Sequence, residues 1–275
     1  MNAKIKAAVK ALLLGMFPHS AAQVFSVRSR AYSQAFLKEA GCVELNTKML
    51  HSFGNRVLHG PFSGVVLSAE THCEHITPFL LGTYESELAE MWLSIFQRRF
   101  TQILDVGAKF GFYAVGLAQR FPEVPVVAFD IDPWARKAVH AMSRANGVKV
   151  QVQGFCDPQW MCRHLKKNAF ILSDCEGYEA TLFGADIPNA DSATMLVELH
   201  EEVSPGVTRL LQVKYSCTHE ISIIPAVGKP TKYPIELNGL SEEERTMAVS
   251  EYRAAEQCWM FFQPRSRAGL NGKMS

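Results

Sequence analysis

The sequence predicts an α/β fold organised on a mostly parallel sheet, and three observations carry that expectation. Five short apolar runs, at 102–106, 124–130, 149–153, 169–174 and 194–199, alternate with segments of helical periodicity, the pattern of strands covered on both faces. The first run opens into a turn holding Gly107 and Gly111, and a helix follows it. Two further strand-like runs, 217–224 and 257–263, come near the end of the chain.

The elements follow in order. Residues 1–75 read as an N-terminal extension, helical early and looser around Gly54, Gly60, Pro61 and Gly64; residues 76–275 read as the main domain. Ile5, Val9, Leu12, Leu13 and Met16 recur at helical spacing, so an amphipathic helix is expected to end near Pro18. Its basic character, with Lys4, Lys6 and Lys10 and no acid in the first thirty residues, suits a docked helix, a peripheral membrane contact by residues 1–17, or a partner surface. As a signal peptide cut after Ala22 it would have Lys10 interrupting its apolar run. A helix is expected over 85–99, and others at 113–120, 133–146, 159–167 and 178–183 between the strands. Ser241 and Glu244 match a capping box opening a last helix.

Composition narrows the function classes. The chain of 275 residues is 48% hydrophobic and 20% charged, with net charge +1, so nothing global speaks for nucleic acid. No apolar stretch reaches the ~18 residues of a membrane span. Seven scattered cysteines, an odd number without a Cys-x-x-Cys pair, fit reduced thiols in a cytosolic protein.

The strongest motif is Ile103-Leu-Asp-Val-Gly-Ala-Lys-Phe-Gly-Phe-Tyr113. Asp105 sits in the strand, Gly107, Ala108 and Gly111 form the turn, and Tyr113 stands in the first turn of the helix. Such a turn lets backbone approach a ligand closely, and the helix N-terminus offers free N–H groups suited to a carboxylate. Lys109 breaks the Gly-x-Gly-x-x-Gly cradle of a dinucleotide pyrophosphate. The acid two residues before the first glycine points instead to S-adenosylmethionine, whose methionine carboxylate suits this helix end. Asp130, followed by Ile131, ends the second strand about twenty residues on, where a carboxylate accepts from ribose hydroxyls. Asp132-Pro133 reads as the cap of the next helix. After the third strand, Phe155 or Cys156 is placed to cover an adenine ring, and Asp157 either accepts from its amine or caps the following helix.

The fourth strand ends Asp174-Cys-Glu-Gly-Tyr-Glu179, followed by Leu182-Phe-Gly184, and the fifth is Met195-Leu-Val-Glu-Leu-His200. With Gly82-Thr-Tyr-Glu85 upstream and Cys258-Trp-Met-Phe-Phe262 near the end, this order resembles the FkbM family of methyltransferases. The likeness spans roughly residues 79–200 plus the tail; Lys109 stands where that family usually has Asn, and Asp130 where Glu is more usual. It implies a Rossmann-like class I methyltransferase fold, a seven-stranded mostly parallel sheet with an antiparallel last strand. It also implies methyl transfer from S-adenosyl-L-methionine to a hydroxyl of a small-molecule or glycan acceptor. By the family pattern, Tyr84 and Glu85 reach the methionine end of the cofactor, although they equally suit a helix start.

An alcohol needs a base or a metal to become a nucleophile. Asp174 and Glu176 at one strand end, and Glu198 and His200 at the next, are expected to converge on one cleft. His200 or Glu176 is the expected base and Asp174 a positioning group near the sulfonium. In a competing arrangement Asp174, Glu198 and His200 hold a divalent metal such as Mg, Mn or Fe. Glu179 is expected to cap or solvate the helix start, and His72-Cys-Glu-His75 to be ordinary loop residues. RNA or protein acceptors, or a cofactor-binding scaffold without catalysis, remain the alternatives.

Overall fold

The structure, a computed structural model, describes residues 18–227, 230, 232–253 and 257–265. The amphipathic helix expected ahead of Pro18 lies outside the described residues. From there the chain runs α1 (Pro18–Glu39), α2 (Cys42–Phe53), α3 (Thr77–Leu81) and α4 (Ala89–Phe96), then β1 (Ile103–Val106), α5 (Phe112–Arg120), β2 (Val126–Phe129), α6 (Pro133–Ala145) and β3 (Gln151–Gln153). Next come α7 (Pro158–His164), β4 (Phe170–Ser173), α8 (Glu179–Gly184), β5 (Thr194–Leu199), α9 (Val207–Tyr215), β6 (His219–Pro225), α10 (Glu242–Val249) and β7 (Cys258–Pro264).

The strands form one seven-stranded sheet in the order β3-β2-β1-β4-β5-β7-β6. β1 to β5 pair in parallel, whereas β7 runs antiparallel between β5 and β6. This is the Rossmann-like class I methyltransferase fold. The order reverses beside β1, so the carboxyl ends of β1, β2 and β4 open a crevice, the place where open α/β sheets bind ligands.

Alternation along the strands sorts the side chains into two cores. Ile103, Val126, Phe170, Leu172, Leu196, Trp259 and Phe261 face one side; Leu104, Val127, Ile171, Met195, Val197, Met260 and Phe262 face the other. Both faces are apolar because helices cover both. α5 and α6 close the first, and α7, α8 and α9 the second.

Segments ahead of residue 76 join the first core through Leu45, Met49, Val57, Phe62, Val65 and Leu67. Phe62 is the anchor, its ring 4.9 Å from Trp92 and 5.4 Å from Phe112. Gly116 in α5 makes room for it: a Cβ there would lie 2.2 Å from the Phe62 ring.

One local expectation is corrected, and two helices are added to the sequence reading. The helix over 85–99 is shorter: Glu85 adopts a left-handed conformation (φ 48°), a 3₁₀ turn covers Ser86–Leu88, and α4 begins at Ala89. α3 and α9 have no counterpart in the sequence reading; α3 follows the His72–His75 segment expected to be loop, and α9 follows a polar stretch with Pro205 and Gly206. Within the tail, the Ser241–Glu244 capping box opens α10 as expected, with reciprocal bonds of 3.1 and 2.9 Å.

Among the described residues, no helix is long and apolar enough to cross a membrane.

Candidate functional site

The turn after β1 is shaped by contact with the end of β4. Gly107 has φ 90°, and a Cβ on it would lie 1.7 Å from the Asp174 carbonyl oxygen, so only glycine fits. The N–H groups of Gly107 and Ala108 both donate to the Phe129 carbonyl, each at 2.9 Å, which ties the turn to the end of β2. Lys109 is held left-handed (φ 48°). Its N–H donates to Asp130 Oδ2 and that of Asp132 to Oδ1, both at 2.8 Å. Two backbone donors thus fix the Asp130 carboxylate and leave each oxygen a further lone pair. Burial pushes its pKa up to about 6, against those two hydrogen bonds. Lys109, off the family pattern, contributes here through its backbone, and its Nζ lies 3.6 Å from Glu74.

Asp105, in β1, is buried, and its Oδ2 has no hydrogen-bond partner. Burial raises its pKa to about 7, opposed by the Ala114 N–H. Together with Gly107, Asp174, Tyr84, Glu85 and Tyr113 it lines a cleft over β1 and β4, with Trp259 of β7 in the wall. Gly111 (φ 86°) stands at the N-terminus of α5 beyond the turn.

The upstream wall of the cleft is a buried ionic network. Tyr113 donates its hydroxyl to Glu85, whose N–H donates to Glu251 Oε1 at 2.8 Å. Arg253 lies at the hub, 2.8 Å from Glu251, 3.5 Å from Glu85, 3.6 Å from Glu87 and bonded to Glu198. Burial lifts Glu85 to about 8, with Tyr113 and Arg253 opposing. Carboxylates outnumber the single guanidinium, so this wall favours a cation. Sequence reasoning missed Glu251, Arg253 and Trp259: the stretch before β7 carries no motif, and only β7 inserting beside β5, with Trp259 opposite Glu198, brings them here.

β4 and β5 deliver the expected four groups to one place. His200 is 1% exposed, and its Nε2 lies 3.6 Å from Asp174 Oδ1, 3.6 Å from Glu176 Oε2 and 4.0 Å from Glu198 Oε2. Glu176 is exposed at the rim in a left-handed conformation (φ 55°). Among the described residues six non-glycines have positive φ, and three of them, Glu85, Lys109 and Glu176, belong to this site; such strain collects where function fixes geometry.

Glu179 is a correction. Rather than capping α8 at the surface, it is fully buried, accepts from the Cys175 and Gly177 N–H groups, and holds His200 Nδ1 at 2.9 Å. The Glu176–Gly177 turn, with both residues at positive φ, folds it inward. Burial alone would lower the His200 pKa, but the Glu179 hydrogen bond and the charges of Asp174, Glu179 and Glu176 outweigh it and lift it to about 9. His200 therefore carries a proton at neutral pH, and work as a base requires that proton to be displaced.

On the far side of the crevice, Asp157 caps α7 by accepting from Trp160 N–H at 2.6 Å. The cap is one of its two expected roles. Cys156 is buried and its thiol is pushed up to about 12 by burial. Phe155 lies against Tyr178 with the two rings tilted at 53° and 5.1 Å between their centres. Ile131 is half-buried beside Asp130. Asp132 caps α6 and pairs with Arg30 of α1 at 2.7 Å, so the N-terminal helix docks against this edge. His75 Nε2 faces the Met247 carbonyl at 2.9 Å, and His72 and His75 belong to no metal-ligand group among the described residues. Such a group is formed by Asp174, Glu198 and His200, one donor atom from each lying within 4.8 Å of the others.

No protein-family model matches the chain, and no curated protein matches it. Solved structures do. An O-methyltransferase from Bacillus cereus in complex with SAH aligns at TM-score 0.46 and 10% identity, over 67% of this chain and 82% of that one. Precorrin-6y C5,15-methyltransferase from Geobacter metallireducens GS-15 aligns at 0.43 and 10%, over 62% and 84%. Pyrococcus abyssi tRNA (uracil-54, C5)-methyltransferase in complex with S-adenosyl-L-homocysteine aligns at 0.40 and 13%, over 67% and 38%.

Proposed function

We propose that the chain is an S-adenosyl-L-methionine-dependent methyltransferase that delivers its methyl group to a hydroxyl oxygen of a small-molecule or carbohydrate acceptor. The observation that carries this reading is the Asp130 carboxylate, fixed by two backbone N–H groups at the tip of β2 beside a β1 turn that only glycine can make. A ribose diol needs a rigid, ionised acceptor of this kind. The turn at Gly107, Ala108 and Gly111, with the N-terminus of α5, suits the methionine carboxylate. The acidic wall around Glu85 suits the ammonium and the sulfonium, and Tyr113 and Tyr84 position Glu85. Cys156 and Phe155 take the adenine side.

The cofactor brings an already activated methyl group, so the protein has to hold an acceptor oxygen in line with it and take up one proton. Asp174, Glu176 and His200 surround that position. The exposed Glu176 is the group best placed to receive the proton, because the neighbouring Asp174 charge raises its pKa. The FkbM-like motifs favour a hydroxyl acceptor; RNA, on a chain of net charge +1, is the weaker alternative.

Calorimetric titration with S-adenosylmethionine, followed by a methyl-donor assay against hydroxylated acceptors, transfer RNA and peptides, tests the reading. A saturable heat and transfer to a hydroxyl support it. No heat overturns the cofactor, heat without transfer to any acceptor leaves a cofactor-binding scaffold, and transfer only to RNA or peptide overturns the acceptor class.

A further inference from the structure

We infer that Asp174, Glu198 and His200 form a binding site for one divalent cation of the Mn²⁺ to Zn²⁺ range. Three observations converge on it. The donor atoms of the three residues lie within 4.8 Å of one another, and two donors on one ion with bonds of about 2.1 Å stand about 3–4.2 Å apart. The Nε2 contacts of 3.6 and 4.0 Å fall in that span and are too long for hydrogen bonds.

The second observation is that two of the donors are stranded. His200 Nε2 and Asp174 Oδ1 are both buried with no hydrogen-bond partner, although buried polar atoms are nearly always paired. His200 is 1% exposed, and its unpaired nitrogen faces the carboxylates rather than apolar side chains.

The third is the support behind the ligands. Glu179 holds the far nitrogen of the imidazole at 2.9 Å and is itself held by the Cys175 and Gly177 N–H groups. Arg253 holds the far oxygen of Glu198. A carboxylate behind a ligating histidine fixes its tautomer and aim, as metal centres require. One imidazole with two carboxylates suits a borderline ion better than the all-oxygen shell of Mg²⁺ or Ca²⁺.

The role of the ion, though not its binding, rests on the methyl-transfer reading. In that setting it would bind the acceptor hydroxyl and make its proton easier to lose, which explains why an imidazole so firmly oriented sits at the transfer position.

The test uses the full chain, stripped with EDTA and titrated with MnCl₂ while free Mn²⁺ is read by electron paramagnetic resonance. About one equivalent per chain is expected to bind tightly, and pulsed resonance of the bound ion is expected to show coupling to one imidazole nitrogen. Asp174→Asn and Glu198→Gln, close in shape to the native side chains, are each expected to weaken binding at least ~10-fold, while His75→Asn keeps it. No binding at micromolar ion, binding without nitrogen coupling, or binding unchanged in both carboxamide variants overturns the inference. The nitrogen coupling is read on the native chain, so it stands even if a variant misfolds. S-adenosylhomocysteine is titrated into the same sample: its heat without Mn²⁺ binding sinks the ion site alone, and Mn²⁺ binding without its heat sinks the methyltransferase reading alone.

Discussion

Glu179 Oε1 lies 2.9 Å from His200 Nδ1, and neither side chain is more than 1% exposed. Breaking a buried charged pair from one side costs about 3–5 kcal/mol, because the remaining charge is left without compensation. Glu179→Ala is therefore expected to lower unfolding free energy by that order in urea. Glu179→Gln, which keeps the shape and an acceptor oxygen, is expected to lose less stability but to weaken Mn²⁺ binding about 10–100-fold. Denaturation and metal titration of the same two variants separate the roles.

Asp130 gives a pH signature. Its pKa in the folded chain is about 6, above the ordinary 3.8, with burial as the main cause. The groups that bear on it are the Lys109 and Asp132 N–H donors, the Asp132 carboxylate and Arg136. A raised acid binds its proton more tightly in the folded than in the unfolded chain. Its contribution to unliganded stability is therefore most favourable below about pH 4 and declines as pH rises to about 6. Ribose binding needs the ionised form, so S-adenosylhomocysteine affinity should rise over the same interval, about tenfold per unit below pH 6. Asp130→Asn is expected to remove both trends and to weaken binding at pH 7.5 by about 10–100-fold. Calorimetry and urea melts across pH 4.5–8 check this; an unchanged affinity in the Asn variant would remove Asp130 from the ribose.

Gly116 and Phe62 test how the N-terminal segments support the site. A methyl on Gly116 would meet the Phe62 ring at 2.2 Å, and overpacking of this kind costs about 1–3 kcal/mol. Phe62→Ala, which empties the pocket, is expected to cost about 3–5 kcal/mol. Combining the two should cost less than their sum, since the added methyl then has space. Thermal melts of the three variants read the coupling.

Arg253 balances Glu85, Glu198 and Glu251. Arg253→Met keeps bulk and removes the charge, leaving several buried carboxylates unpaired, and a loss of about 3–5 kcal/mol is expected. The further change Glu251→Gln should recover part of it. If the single variant is as stable as the native chain, the network does not hold the upstream wall.

Much of this was legible in the sequence because it is local. Doubly covered strands read as short apolar runs, and β1, β2, β4 and β5 lie within the expected ranges. Asp105, Gly107 and Asp130 lie at the ends of β1 and β2 as the sequence reading placed them, because turn chemistry and strand tips leave a linear signature. The remainder depends on contacts far apart in the chain. Glu179 looks like a helix-start acid until the Glu176–Gly177 turn carries it under His200. Arg253 and Glu251 have no local pattern, and become part of the site only because β7 inserts between β5 and β6. α9 was missed because Val207, Leu211 and Tyr215, its buried stripe, follow a polar stretch with Pro205 and Gly206 that carries no helix-start signal.

The most direct test of the methyltransferase account is a crystal structure with S-adenosylhomocysteine. The expected result is one molecule in the crevice at the ends of β1, β2 and β4, both ribose hydroxyls on Asp130, its amino-acid end between Gly107 and Glu85, and its sulfur facing Asp174. A ligand bound elsewhere, or a crevice that rejects it while side chains fill the space beside Gly107, would contradict the account.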